Sequence, residues 1–225
     1  EWGFTTGEYQ VPEASRLQEI LDKVGYDKIQ IDEEGKTITL EEGMEIDFGG
    51  IAKGYSGDEA TSALKQAGVT SAILSLGGNI QTLGSKPDGS KWNVAIKNPK
   101  NVETYMGVIK VADKAVVTSG GYERYFEDED GNLWWHIIDP ATGYPANTGI
   151  LSISIIGNSG MECDALSTAL FVAGVEGAAE YWKQYGGFDM IIITEEEEVY
   201  ITEGIKKDFS LVSDYESKDV NVITK

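Results

Sequence analysis

Asp189-Met190-Ile191-Ile192-Ile193-Thr194, followed by Glu195-Glu196-Glu197-Glu198 and then Val199-Tyr200-Ile201-Thr202, is the stretch on which the fold class turns. Each apolar run is long enough for a strand and too short for a helix. The four acids between them cannot enter a core, and so short a connection joins antiparallel strands, not parallel ones. A β-hairpin is therefore predicted here. Upstream, residues 176–185 read as a helix stopped at Gly186-Gly187, and residues 162–173 as another stopped at Gly174. Residues 150–156 alternate like a strand. Strand patterns crowd together over residues 92–97, 105–111, 115–118, 122–127 and 133–138, with a polar hairpin tip at 128–132. Residues 71–76 form a continuous apolar strand that stops at Gly77-Gly78-Asn79. A helix is expected over residues 52–67, preceded by a short strand at 44–48. Nearer the start, Asp32-Glu33-Glu34-Gly35 joins strand-like runs at 28–32 and 36–40 into a hairpin. Leu17, Ile20, Leu21 and Val24 mark a helix over residues 12–25. The last twenty residues are polar with scattered apolar anchors. Hairpins mixed with helices imply α+β, with antiparallel sheets and flanking helices, and no linker or repeat divides residues 1–225.

Composition narrows the function. The chain has 225 residues, 18 Lys and Arg against 38 Asp and Glu, and a formal net charge of −20. That balance argues against nucleic acid and anionic membranes as partners, because phosphate backbones need a basic face. The acids gather at hairpin tips, residues 32–34, 127–130 and 195–198, where they read as solvated turns. One Cys excludes an intramolecular disulfide and a Cys-rich metal module, and one His excludes a multi-His metal site. Arg16 and Arg124 are the only arginines, so any phosphate chemistry must lean on Lys, backbone N–H groups and a metal ion. No apolar run of about 18 residues is present to span a membrane. No leader is visible, and the opening Glu1-Trp2-Gly3 without Met reads as a processed or truncated start, from which a leader or lipid anchor could have been removed.

Four segments could carry chemistry. In Asp47-Phe48-Gly49-Gly50-Ile51-Ala52-Lys53-Gly54-Tyr55 a glycine turn leads into a helix, whose N-terminal N–H groups favour anions, with Lys53 adding charge. The plainer reading is a tight turn with a surface Lys. Ser75-Leu76-Gly77-Gly78-Asn79 again permits close backbone approach, with Asn79 as donor and acceptor, or is simply a turn. Thr118-Ser119-Gly120-Gly121-Tyr122-Glu123-Arg124 and His136-Ile137-Ile138-Asp139-Pro140-Ala141-Thr142-Gly143 bring hydroxyls, acids and the one His to neighbouring strand ends. A lone His is more often a core or surface residue than a catalyst, and the polar turn beside it weakens that expectation. In Asp164-Ala165-Leu166-Ser167-Thr168 the carboxylate and the Thr168 hydroxyl, four residues apart, share a helix face. They are hard oxygen ligands suited to Mg²⁺, or else a helix cap and a packed Thr. Together the segments point to a magnesium-bound pyrophosphate.

These motifs, DFGGIAKGY, LGGN, TSGGYERYF, HIIDPATG and DALSTALFVAG, resemble in order and spacing those of the ApbE family, the FAD:protein FMN transferases, across about residues 1–205. The resemblance implies an ApbE-like, T-fold-related architecture. It implies Mg²⁺ as cofactor and FAD as substrate, with the FMN moiety passed to a Thr or Ser hydroxyl of a target flavoprotein subunit or FMN-binding domain, and AMP released. Some members instead hydrolyse FAD to FMN and AMP, and an inactive FAD-binding protein is a further possibility. Asp164 and Thr168 match the side-chain magnesium ligands, and Ala52 a main-chain ligand. His136 matches the residue needed for transfer, as base or proton relay. Lys53, Gly78, Asn79, Ser119, Gly120, Tyr122, Glu123, Asp139 and Thr142 match positions lining the flavin nucleotide site. Members act outside the cytoplasmic membrane, often lipid-anchored. The chain departs from the pattern in lacking the strand and helix usual before Trp2-Gly3-Phe4. It also carries Glu162 where Ala is common and Gly121 where Asp is common.

Overall fold

The computed structural model describes residues 1–225, which cluster into two units. One comprises Glu1–Phe48 and Arg124–Ala146, and the other Gly49–Glu123 and Asn147–Lys225.

The smaller unit contains helix α1 (Ala14–Leu21), hairpin β1 (Gln30–Asp32) and β2 (Thr37–Thr39), and hairpin β8 (Tyr125–Glu127) and β9 (Leu133–Trp135). Its centre is aromatic. Trp2 is buried, donates its indole N–H to the Gly143 carbonyl at 2.9 Å, and lies 5.1 Å from the Trp134 ring. Tyr9 stacks on Phe126 at 5.1 Å. Leu17 of α1 is buried and faces Gly143, where φ is +76° and a side chain would be strained. Residues 44–48, expected as a strand, take no part in any sheet. Their alternation half-buries Met44 and Ile46, but no ladder partner lies alongside, and without one an extended segment is not a strand.

The larger unit is layered. A seven-stranded sheet runs in the order β14 (Val220–Ile223), β12 (Val199–Thr202), β11 (Asp189–Thr194), β10 (Ile150–Gly157), β7 (Ala115–Gly120), β4 (Asn79–Leu83), β3 (Ala72–Leu76). Every neighbouring pair is antiparallel except β12 with β14. The predicted hairpin of residues 189–202 is present, pairing Ile191 with Ile201 and Ile193 with Val199. On that face the sheet meets a second, three-stranded one of β13 (Phe209–Leu211), β6 (Asn101–Val111) and β5 (Trp92–Asn98). Val94, Ile96, Met106 and Ile109 pack there against Val116, Ile156, Ile191 and Ile201. The opposite face receives helix α3 (Gly160–Tyr185), which lies along β7 and β10, and helix α2 (Ala52–Gln66), which lies along β4 and α3. Central strands covered on both sides explain the unbroken Ile run of β11. Helix α3 is broken at Gly174 (φ 76°, ψ 176°), the stop predicted between two helices. Strands β4, β13 and β14 were not expected from the sequence.

Helices α2 and α3 are locked at close range. A Cβ on Gly54 would stand 2.1 Å from the Gly160 carbonyl oxygen, so only glycine fits at the crossing. Asp58 of α2 then reaches the start of α3. It accepts hydrogen bonds from the Gly160 N–H (2.7 Å), the Met161 N–H (3.1 Å), the Ser159 hydroxyl (2.9 Å) and the Gln81 amide of β4 (2.7 Å). Two orphan donors of a helix N-terminus are satisfied by a carboxylate from another helix. Partial burial would raise the Asp58 pKa, but the bonds from Gln81, Gly160, Met161 and Ser159 outweigh it and hold the carboxyl below the ordinary range. A depressed folded-state pKa stabilises above the unfolded value and is lost as pH falls through the folded one. Asp58→Ala should therefore destabilise the fold at pH 7 by about 2–3 kcal/mol. The gap to wild type in chemical-denaturation midpoints should narrow as pH falls below about 4.

Candidate functional site

Three of the four chemistry-bearing segments converge beneath the helix crossing of the larger unit. The Gly54 N–H, in the first turn of α2, donates to Asp164 Oδ2 at 2.8 Å. Asp164 is only 5 % exposed. One turn on, Thr168 Oγ1 lies 3.3 Å from Ser119 Oγ at the end of β7. Ser119 also meets Ser167 Oγ at 2.8 Å, and Ser167 donates to the Asp164 carbonyl at 2.9 Å. The Ala52 carbonyl, at the start of α2, accepts the Ser56 hydroxyl at 2.7 Å, so a ligand taking that oxygen would share or displace it.

The glycine pair before Asn79 is a two-residue hairpin turn. Gly77 and Gly78 have φ of 56° and 96°, as a type I′ connection between Leu76 and Asn79 requires. The turn lies beside Lys53, whose Cδ is 3.7 Å from where a Gly77 Cβ would be. Asn79 is 5 % exposed, yet its amide nitrogen has no hydrogen-bond partner. A buried unpaired donor is costly, and a bound acceptor would relieve it. Gly120 serves a different need: a Cβ there would strike the Tyr122 ring at 2.4 Å. The half-buried Tyr122 phenol is pushed well above its ordinary pKa, by desolvation first and by the Glu123 charge second, and so stays a neutral donor. Glu123 is exposed, in the single 3₁₀ turn after β7.

His136, Asp139 and Thr142 belong to the smaller unit. The His136 Nδ1 stands 3.1 Å from the Arg124 carbonyl, which can only accept. Nδ1 therefore carries the proton, and Nε2 is the basic nitrogen of the neutral ring. The Phe4 ring meets the imidazole edge-on at 6.4 Å. The Asp139 carboxylate accepts from the Ala141 N–H at 2.9 Å, and the Thr142 hydroxyl from the Tyr144 N–H at 3.3 Å. These two side chains close their own turn.

An oxygen-preferring divalent ion fits the donors of the larger unit. No three His, Cys, Asp or Glu side chains converge anywhere, but Asp164, the Thr168 hydroxyl and the Ala52 carbonyl are the mixed hard donors that Mg²⁺ takes beside phosphate oxygens. Glu162 is exposed in the first turn of α3 and donates its N–H to Ser159 Oγ, at the third position of a Ser-x-x-Glu cap. The sole Cys, Cys163, is buried and its thiol is pushed up to about 12 by desolvation and then by nearby carboxylates, led by Asp58, which makes it unreactive. Sequence reading missed Asp58, Gln81 and Ser167. The Ser159-to-Glu162 cap was readable and would have placed the start of α3, but a cap borrowed from another helix leaves no local signal.

The ApbE family model matches residues 1–192. A FAD:protein FMN transferase of Klebsiella pneumoniae is 34% identical over 204 residues, covering 90% of this chain and 62% of the relative. One from Treponema pallidum is 35% identical over 219 residues, covering 91% and 60%. The crystal structure of the ApbE protein of Thermotoga maritima superposes with a TM-score of 0.85 at 34% identity, over 92% of this chain and 68% of that one. The chain thus spans about three fifths of the length of these curated relatives. With the family model running through every one of the motif-bearing segments, the chain belongs to the ApbE family.

Proposed function

We propose that this chain catalyses Mg²⁺-dependent transfer of the FMN moiety of FAD to a Thr or Ser hydroxyl of a target flavoprotein. The observation that carries this reading is the seating of Asp164 and Thr168 under the α2 N-terminus, beside the Lys53 and Gly77-Gly78-Asn79 turn. Helix N–H groups, one Lys and an unpaired buried amide donor suit a pyrophosphate, and they explain how a chain with two arginines and a net charge of −20 could hold one. Asp164, Thr168 and the Ala52 carbonyl would hold the magnesium ion, which when bound neutralises pyrophosphate charge.

In the reaction, the acceptor hydroxyl oxygen attacks the phosphorus on the FMN side. The new P–O bond forms as the anhydride bond to the AMP phosphate breaks, and AMP departs. The hydroxyl proton passes to His136 Nε2, the basic nitrogen that the Arg124 carbonyl selects. Positioning and charge neutralisation supply most of the rate in such a transfer. Lys53, Gly78, Asn79, Ser119, Gly120, Tyr122, Glu123, Asp139 and Thr142 line the nucleotide site in this reading. The partner is a flavoprotein subunit or FMN-binding domain, and the setting extracytoplasmic, with any membrane attachment through a lipid anchor. No helix of the chain is long and apolar enough to cross a membrane.

Incubation with FAD, Mg²⁺ and an FMN-binding target domain should give a fluorescent covalent adduct and stoichiometric AMP. Free FMN and AMP without an adduct would replace transfer by FAD hydrolysis, and tight FAD binding without AMP release would make the chain a binding protein. Asp164→Ala should weaken Mg²⁺ and FAD binding together, each by about 10- to 100-fold in calorimetric titration. Full activity of that variant at saturating Mg²⁺ would remove Asp164 from the metal site. His136→Asn should keep FAD affinity while slowing single-turnover transfer by roughly 10²–10⁴. An unchanged rate would reduce His136 to a structural residue.

A further inference from the structure

Three hydroxyls between β7 and α3 form a chain whose proton direction can be worked out. Ser167 is fully buried and donates its one hydroxyl proton to the Asp164 carbonyl at 2.9 Å. With that proton committed, Ser167 Oγ can only accept from Ser119, 2.8 Å away. Ser119 has then spent its own proton and can only accept from Thr168 Oγ1, 3.3 Å away. The order runs Thr168 to Ser119 to Ser167 to the Asp164 carbonyl. Its result is that the Thr168 proton points back toward β7, so the lone pairs of Oγ1 face away from the strand. A hydroxyl ligates a cation through a lone pair, and a proton aimed at the cation would oppose it. Ser167 also occupies a helix carbonyl, that of the residue four before Thr168, which a Thr hydroxyl in a helix commonly takes for itself.

We propose that Ser167, acting through Ser119, is a positioning residue that sets the polarity of the Thr168 hydroxyl for metal ligation. The proposal rests on the reading of Asp164 and Thr168 as metal ligands. Without the Ser167 acceptor, the Ser119 proton turns to the nearest remaining oxygen, Thr168 Oγ1, where it takes one of the two lone pairs and turns the Thr168 proton away from β7. Removing Ser119 as well abolishes that competing donor.

Mn²⁺ titration followed by electron paramagnetic resonance, on the full chain without nucleotide, tests this. Ser167→Ala should weaken Mn²⁺ binding by about five- to tenfold, the equivalent of one hydrogen bond. Ser119→Ala, which takes away the acceptor of the Thr168 proton, should weaken Mn²⁺ binding by about two- to fivefold, and the double variant, in which the Asp164 carbonyl is free for that proton and no competing donor remains, should recover most of the loss. Thermal melts establish that each variant is folded, and Ser167→Cys, with its weak thiol donor in the same space, replaces Ser167→Ala if the latter is not. A double variant as weak as Ser167→Ala, or weaker, would mean that Ser167 acts by packing and would overturn the proposal. So would unchanged Mn²⁺ affinity in Ser167→Ala while Asp164→Ala abolishes binding. If Asp164→Ala itself leaves Mn²⁺ binding intact, the metal-site reading fails, and the relay with it.

Discussion

Each of two helices is capped by an acid from the other. Asp164 of α3 accepts the Gly54 N–H in the first turn of α2, and Asp58 of α2 accepts the first two N–H groups of α3. Isolated helices leave these donors to water or to a local Ser, Thr or Asp. Here the exchange is possible because Gly54 and Gly160 let the two backbones approach with no side chain between them. The same contact buries Asp164, sets Thr168 one turn further along, and leaves the β3–β4 turn beside Lys53. Fold and candidate site thus share one constraint. Loosening the crossing would cost stability and ligand geometry together.

That arrangement also makes sense of an acidic chain proposed to handle an anion. The acids outside the crossing do local work at turns. Asp32 accepts the Glu34 and Gly35 N–H groups. The Asp128 carboxyl is held at about 2 by hydrogen bonds from Asn132 and Trp134. Glu197 pairs with Lys218. These acids are committed to local partners, and at the crossing helix N–H groups, Lys53 and the unpaired Asn79 amide supply positive potential. In the proposed mechanism the remaining charge balance comes from a metal held by oxygen donors instead of from arginine.

Much of the architecture was legible from local pattern. The Ile-rich run of β11 and its acidic turn announced an antiparallel hairpin, and Gly174 announced the break in α3, because each signal sits within a few residues. Strand β4 was missed because Gly77-Gly78 looked like the end of an element, whereas their positive φ values make them the turn of a hairpin. Strand β14 was missed because it pairs in parallel with β12, a register that no nearby residue encodes. Residues 44–48 had the alternation of a strand but no neighbour to pair with. At the site, the Asp164 and Thr168 spacing was visible as a helix face, since i and i+4 always are. Asp58, Gln81 and Ser167 were not, because their roles depend on partners brought close only by the crossing.

In the proposed reading, mutual capping of α2 and α3 builds a divalent-metal site for a pyrophosphate. Anomalous diffraction from crystals grown with Mn²⁺ and FAD tests it most directly. One metal peak is expected, bounded by Asp164, the Thr168 hydroxyl and the Ala52 carbonyl, with the pyrophosphate on its open side and Gly54 still bonded to Asp164. Pyrophosphate density bound with its metal on other residues, or bound with no metal at all, would contradict it.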